Sequence, residues 1–189
     1  MLTLPILPER SCGGCTVCCT VLPADDATLR KQAGVDCIHC DTGVGCRIYD
    51  VRPNTCREFF CGWRALPNLS DEWRPDRSGV MVAFDDADIP PGYAIRPAFK
   101  LILTRGRVYL GAEAFAGYVA GLVDAQIPVF LSLPGPPGSF FAKVFVNDRL
   151  AMPVARRDLG AVLDALEALY AQLADGEFEP VVLAPPISP

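Results

Sequence analysis

From residue 78 onward the apolar positions switch between two periods. The runs at 80–84 and 93–104 are rich in β-branched and aromatic residues and predict strands, as do 129–133 and 141–146. Arg105 and Gly106 predict a turn into Val108, Tyr109 and Leu110. Phe115, Tyr118, Val119, Leu122 and Val123 recur at helical spacing, which predicts a helix over 112–125. Leu159, Val162, Leu163, Leu166, Leu169, Tyr170 and Leu173 form a second helical stripe, with Asp158 as its cap or first-turn acid and Gly176 as its stop. Before residue 78 such periodicity is scarce. One short helix is expected near 26–32, capped by Asp25 and stopped by Gly34. Pro53 fits the first turn of another, carrying Thr55 to Phe60. Residues 62–77, with Trp63, Pro67, Trp73 and Pro75, read as a connecting loop whose tryptophans dock one part on the other.

These elements predict an α+β fold: an N-terminal irregular Cys-rich metal-binding module packed on a small mixed sheet with two main helices. The expected divisions are an N-terminal extension (1–10), the cysteine module (11–64), an α+β domain (65–180) and a Pro-rich tail (181–189). Cysteine usage drives this division. All nine cysteines fall between Cys12 and Cys61, among small and turn-forming residues with few aliphatics. Such a segment cannot pack a core by itself, and metal coordination would supply the missing stability. Tyr49, Phe59 and Phe60 are its expected small core.

With 51% hydrophobic and 21% charged residues, the chain has an ordinary globular balance. Its net charge of −5 argues against phosphate-backbone binding, and residues 11–64 carry six Lys/Arg against six Asp/Glu, which gives no basic nucleic-acid face. The N-terminus lacks a basic stretch, is broken by Pro5 and Pro8, and carries no lipidation signal. The most apolar long stretch, 114–133, contains Asp124, Gln126 and Pro128, so a helix followed by a strand explains it better than a membrane span. The expectation is a cytoplasmic protein with no membrane or nucleic-acid partner; there, clustered cysteines serve as metal ligands or redox groups more often than as disulfides.

The cysteines come in three blocks: Cys12-x2-Cys15-x2-Cys18-Cys19, Cys37-x2-Cys40-x5-Cys46 and Cys56-x4-Cys61. Two-residue gaps let one tight turn present two thiolates to a metal while the backbone N–H groups donate to sulfur. Nine thiols exceed the four of one tetrahedral zinc and suit two four-thiolate sites with one to spare, or one cluster plus a second metal. Zinc is one reading. Iron is another, because Cys12, Cys15 and Cys18 reproduce the first three ligands of the bacterial ferredoxin run before Cys19 departs from it. A third is thiol redox chemistry by the adjacent Cys18 and Cys19. Arg47, Arg52, Arg57 and Arg64 are either solvated or offset thiolate charge.

The cysteine spacing, together with Gly45-Cys46-Arg47-Ile48-Tyr49 and Arg52-Pro53-x2-Cys56-Arg57-x-Phe59-x-Cys61, resembles the YkgJ-type cysteine-cluster family of zinc- or iron-chelating CxxCxxCC proteins. The resemblance spans about a quarter of the chain. It implies metal ligation by Cys12, Cys15, Cys18, Cys19, Cys37, Cys46, Cys56 and Cys61, and leaves Cys40 as the spare. It implies zinc or iron as cofactor, and the ferredoxin-like run adds an iron–sulfur cluster to the expectations. Flagellin lysine methylase carries a similar cluster, which adds an enzyme to the expectations beside a structural or chelating metal protein and a redox or metal sensor. A protein partner or substrate fits all three.

His39 is the sole histidine and lies inside the cluster, as an alternative ligand. That excludes HExxH metalloprotease sites and Ser–His–Asp triads. There is no GxGxxG or Walker A run. Gly135-Pro136-Pro137-Gly138 lacks the N–H groups of a phosphate cradle and reads as a rigid strand connection.

Overall fold

A computed structural model describes residues 5–59, 61–105 and 112–181. In chain order the elements are α1 (Val17–Val21), β1 (Ala24–Asp26), β2 (Leu29–Lys31), β3 (Cys40–Asp41), β4 (Gly45–Cys46), α2 (Asn54–Arg57), α3 (Gly62–Ala65), α4 (Pro75–Ser78), β5 (Val80–Asp85), β6 (Ala98–Leu103), α5 (Ala112–Asp124), β7 (Val129–Leu133), β8 (Ala142–Phe145), α6 (Asn147–Ala155) and α7 (Leu159–Ala174). Single 3-10 turns lie at Tyr49–Val51 and Asp71–Trp73. The fold is mixed α+β, as expected.

Strands β5-β6-β7-β8 form one mixed sheet in that order; the β6–β7 pair is parallel, bridged by α5, and the outer pairs are antiparallel. Alternation along the strands divides the side chains between two faces. Val80, Val82, Leu101, Leu103, Val129, Leu131 and Leu133 point to one, where the buried stripes of α5 (Phe115, Val119, Leu122) and α7 (Val162, Leu166, Leu169, Leu173) cover them. Met81, Ala83 and Ile102 point to the other, where Val17, Cys18, Leu22, Phe59 and Phe141 pack on them. Helix α1 and Phe59 of the cysteine-bearing segment therefore lie against the sheet face opposite the long helices, while Cys61 and Trp63 join the long-helix side. All five residues of β7 are buried, as expected of a strand covered on both sides.

The strands expected at 80–84, 129–133 and 141–146 and the two long helices are close to those observed. The Asp158 side chain caps α7 by accepting from the Ala161 N–H at 3.0 Å. Other expectations need correction. The helix expected at 26–32 is instead the β1–β2 hairpin. The Asp26 carboxylate accepts from both the N–H and the hydroxyl of Thr28, at 3.0 and 2.9 Å, which stabilises the turn, while Ala24, Leu29 and Lys31 are buried. The short helix before Cys37 lies earlier, at α1. The expected strand 93–104 is paired only over β6. Residues 62–77 are not a plain loop: they hold α3, a 3-10 turn and the start of α4. Trp63 and Trp73 are buried in the main core.

A third main helix, α6, joins the two expected. Its sequence, NDRLAMPVA, buries Asn147 and Leu150 and contains Pro153, so periodicity does not reveal it. Asn147 anchors it to β7: its Oδ1 accepts from the Val129 N–H at 2.8 Å and its Nδ2 donates to the Ile127 carbonyl at 2.7 Å. The Arg105–Gly106 turn and Val108 to Leu110 lie outside the described residues, apart from Arg105, as does Phe60. Among the described residues no helix is long and apolar enough to cross a membrane.

Candidate thiol site

Cys12 and Cys15 sit on one tight turn closed by the Cys15 N–H donating to the Cys12 carbonyl at 2.8 Å. Helix α1 follows at once. Its consecutive Cys18 and Cys19 differ by about 100° around the axis, and they divide accordingly. Cys18 packs toward the sheet with Met81 and Ile102, and Cys19 packs with Cys37, Cys40 and Cys56. The Cys37 N–H donates to the Cys19 carbonyl at 3.1 Å, and the Cys40 N–H donates to the Cys37 carbonyl at 2.9 Å. Cys40 and Cys46 face one another across the β3–β4 ladder. The His39 N–H donates to the Cys37 sulfur at 3.5 Å, a backbone-to-sulfur bond of the kind the two-residue gap permits. Gly14 lets the first turn meet the β3–β4 loop, since a Cβ there would stand 2.5 Å from the Gly43 carbonyl oxygen.

Seven of the eight motif cysteines, namely Cys12, Cys15, Cys18, Cys19, Cys37, Cys46 and Cys56, line a single cavity of about 490 Å³. The eighth, Cys61, sits just before α3 against the main core, where its thiol is influenced by Cys15 and Cys12. Cys40 is outside the lining and touches Cys19. All nine cysteines are free thiols. They fall into two neighbourhoods, one of Cys12, Cys15 and Cys61 and one around Cys18, Cys19, Cys37, Cys40, Cys46 and Cys56.

Burial and neighbouring groups raise the thiols of Cys15, Cys19, Cys40, Cys56 and Cys61. A hydrogen bond with Cys18, then burial, then the charge on Cys18 push the Cys19 thiol far up. Burial, then neighbouring Cys19, raises Cys40 to about 11. Burial raises Cys61 to about 11 against the opposing Trp63 N–H. Cys56 is raised by burial and then by Cys19, Cys37 and Cys46. Each thiolate is unfavourable beside the next, a relation that a bound cation would reverse. The donor chemistry thus fits a thiophilic metal. Among the described residues, however, no group of three or more His, Cys, Asp or Glu side chains stands in a geometry that could hold one ion. The thiols surround a space instead of converging on a point.

Among the described residues the charged part of the lining is cationic, Arg10, Lys31, Arg52 and Arg64, with His39 and no Asp or Glu. In a chain of net charge −5 this is a local inversion of sign. Arg64 donates to the Arg10 carbonyl from Nε and Nη2, at 3.1 and 2.8 Å, and to the Tyr49 hydroxyl at 2.9 Å. Arg10 donates to the carbonyls of Trp63, Leu66 and Leu69, which fastens the N-terminal strand of chain to the main core. The Lys31 ammonium lies among the carbonyls of Thr20, Leu22, Gln32 and Val35. Burial lowers its pKa, opposed by Cys37 and Cys19. Tyr49, expected in a small core, stands instead at the cavity wall with its side exposed. Neither Arg10 nor Lys31 carries a sequence signal for this role, because only folding brings them to the thiols.

No family model matches the chain, and no solved structure matches it. Curated relatives include the siroheme synthases of Escherichia coli (strain K12 / DH10B), Escherichia coli O157:H7 (strain EC4115 / EHEC) and Escherichia fergusonii. Each is 31% identical to this chain over 133 residues, covering 67% of it. The chain spans 28% of the length of these relatives.

Proposed function

We propose that this chain is a metal-binding protein of the YkgJ type whose N-terminal module, residues 11–64, takes up zinc or iron through Cys12, Cys15, Cys18, Cys19, Cys37, Cys46, Cys56 and Cys61. The observation that carries the reading is the single cavity lined by seven of these eight thiols. Charge supports it. Eight thiolates on two divalent ions leave about −4, and Arg10, Lys31, Arg52 and Arg64 supply four compensating charges at the lining. Because the thiols do not yet converge, binding draws the three cysteine blocks inward and couples metal uptake to the folding of the module. The bound metal supplies cross-linking of a segment poor in aliphatic residues. The role is structural or chelating, in the cytoplasm, with metal ions as the partners and neither nucleic acid nor membrane.

The test is elemental analysis with a visible spectrum and a labile-sulfide assay on protein purified without oxygen or added metal. About two zinc per chain and no colour support a structural module. Iron with labile sulfide favours the second reading, an iron–sulfur enzyme acting in protein lysine methylation or redox chemistry; the ferredoxin-like Cys12, Cys15, Cys18 run is what favours it. Metal release by mild peroxide, reversed on reduction, favours a sensor. Protein carrying neither zinc nor iron overturns all three.

A further inference from the structure

The lysines of the chain are Lys31, Lys100 and Lys143, and folding takes most of each side chain out of water. Two of them are firmly held. Lys31 donates to four backbone carbonyls. Lys143 donates to Asp85 Oδ2 at 3.0 Å and to the Ala87 carbonyl at 3.3 Å, and pairs with Asp88 at 3.0 Å. Lys100 is held more loosely. It stands on β6 between Ala83 of β5 and Phe130 of β7, on the sheet face that the long helices leave free. Its Nζ lies 3.6 Å from the Asp85 oxygen that Lys143 already holds, longer than a normal hydrogen bond. The Phe141 ring centroid is 5.2 Å from the same Nζ. The Lys100 side chain keeps 18% of its surface exposed, so a small molecule can reach it.

Two ammonium groups thus share one carboxylate, and only Lys143 has a second carboxylate, that of Asp88, to itself. Burial lowers the Lys100 pKa, and the Lys143 charge lowers it further against the opposing Asp85. A desolvated lysine set beside a second cation is the arrangement that frees an amine lone pair near neutral pH. We propose that Lys100 is a nucleophilic amine that forms a Schiff base with a small apolar aldehyde or ketone, which the Phe141 ring receives. The Lys100 ammonium first releases one proton. Its nitrogen then bonds to the carbonyl carbon while the C=O pair moves to oxygen. That oxygen takes up two protons, one from the nitrogen and the one first released, and leaves as water as the C=N bond forms. Ammonium and carbonyl compound together give one iminium and one water, so the positive charge stays and Asp85 keeps its partner. The inference goes beyond metal binding and uses no thiol.

The experiment treats the full chain at neutral pH with butanal and cyanoborohydride, which traps the imine by hydride addition, and follows each lysine by peptide mass mapping. Lys100 should be labelled roughly fivefold or more faster than Lys31 and Lys143. Glyoxylate, an anionic aldehyde, should label Lys100 more slowly than butanal once each is scaled to its rate with free Nα-acetyllysine. Lys143→Met removes the neighbouring positive charge and should slow labelling of Lys100 by roughly threefold or more. Lys143→Arg keeps that charge and should leave the Lys100 rate close to that of the native chain. Steric access alone predicts the opposite for Lys143→Met, because the shorter side chain opens the approach. Labelling of Lys100 no faster than Lys31 or Lys143, a faster rate in Lys143→Met, or a preference for glyoxylate overturns the proposal. If Lys143→Met fails to fold, the rates in the native chain and with the two aldehydes still decide it. Metal content tests the metal reading separately.

Discussion

The Cys37 N–H donates to the carbonyl of Cys19 at 3.1 Å, tying the second cysteine block to the helix that carries the first. Cys19, Cys37, Cys40 and Cys56 then share one small apolar cluster with Ala24 and Leu29. Replacing Cys37 therefore acts on two blocks together. Cys37→Ser should lower bound zinc or iron by about one atom per chain and increase proteolysis within 11–59, read by elemental analysis and limited digestion. Cys40→Ser should cost less metal, because its thiol is outside the cavity lining. Unchanged metal content in Cys37→Ser contradicts its proposed role as a ligand.

Lys31 tests the hairpin that replaces the expected helix. Its ammonium satisfies carbonyls from both α1 and the loop after β2. Lys31→Met should leave those acceptors unpaired and destabilise the protein by about 2–3 kcal/mol, seen as a loss of roughly 5–10 °C in Tm. A Tm within 1 °C of the native protein contradicts this account.

Gly62 shows how closely the cysteine-bearing segment approaches the sheet. A Cβ there would stand 2.6 Å from Val82 Cγ1 and 3.0 Å from the Val82 carbonyl oxygen. Gly62→Ala should push α3 away from β5 and cost about 1–3 kcal/mol, measured by denaturant unfolding. The double variant Gly62→Ala, Val82→Ala should recover part of the loss, and no recovery would assign the cost to the backbone contact.

Asp85 at the end of β5 pairs with Lys143 at 3.0 Å and with Lys100 at 3.6 Å. Burial opposes its ionisation, but the Ala87 N–H and the two lysines outweigh that and hold its carboxyl below the usual range. Its folded pKa thus lies below its unfolded value. The stability it confers is complete above the unfolded value near ~4 and disappears as pH falls through the lower, folded one. Asp85→Asn should cost about 1–2 kcal/mol at pH 7 and little at pH 2–3. A pH-independent difference contradicts the assignment.

The Tyr118 hydroxyl is buried without a hydrogen bond of normal geometry, though the Asn68 side chain approaches it, and burial pushes its pKa up to about 12. Tyr118→Phe should keep the ring tilted against Trp73, 4.5 Å between centroids, and leave thermal stability equal or higher, by up to about 1 kcal/mol. A loss above that size would reveal a bond to the hydroxyl.

By itself the sequence determined the long elements and which thiols would gather. The stripes of α5 and α7 repeat a helical burial period and β7 is one continuous apolar run buried throughout, so local pattern and tertiary burial agree. The thiols of Cys12, Cys15, Cys18, Cys19, Cys37, Cys46 and Cys56 were legible because their spacing is itself the signal. Tertiary structure alone decided the rest. Helix α6 exists because Asn147 bonds the chain before and at the start of β7, a contact that no periodicity encodes. Residues 24–31 form a hairpin because Lys31 finds four carbonyls in a fold already assembled. The cationic wall joins Arg10 to Arg64 and sets Lys31 beside Cys37, and places Arg52 on Tyr49 with one donor unspent. Such encounters depend on closing loops of tens of residues, and a charge or an unpaired N–H acquires its meaning only when that closure supplies or withholds its neighbour.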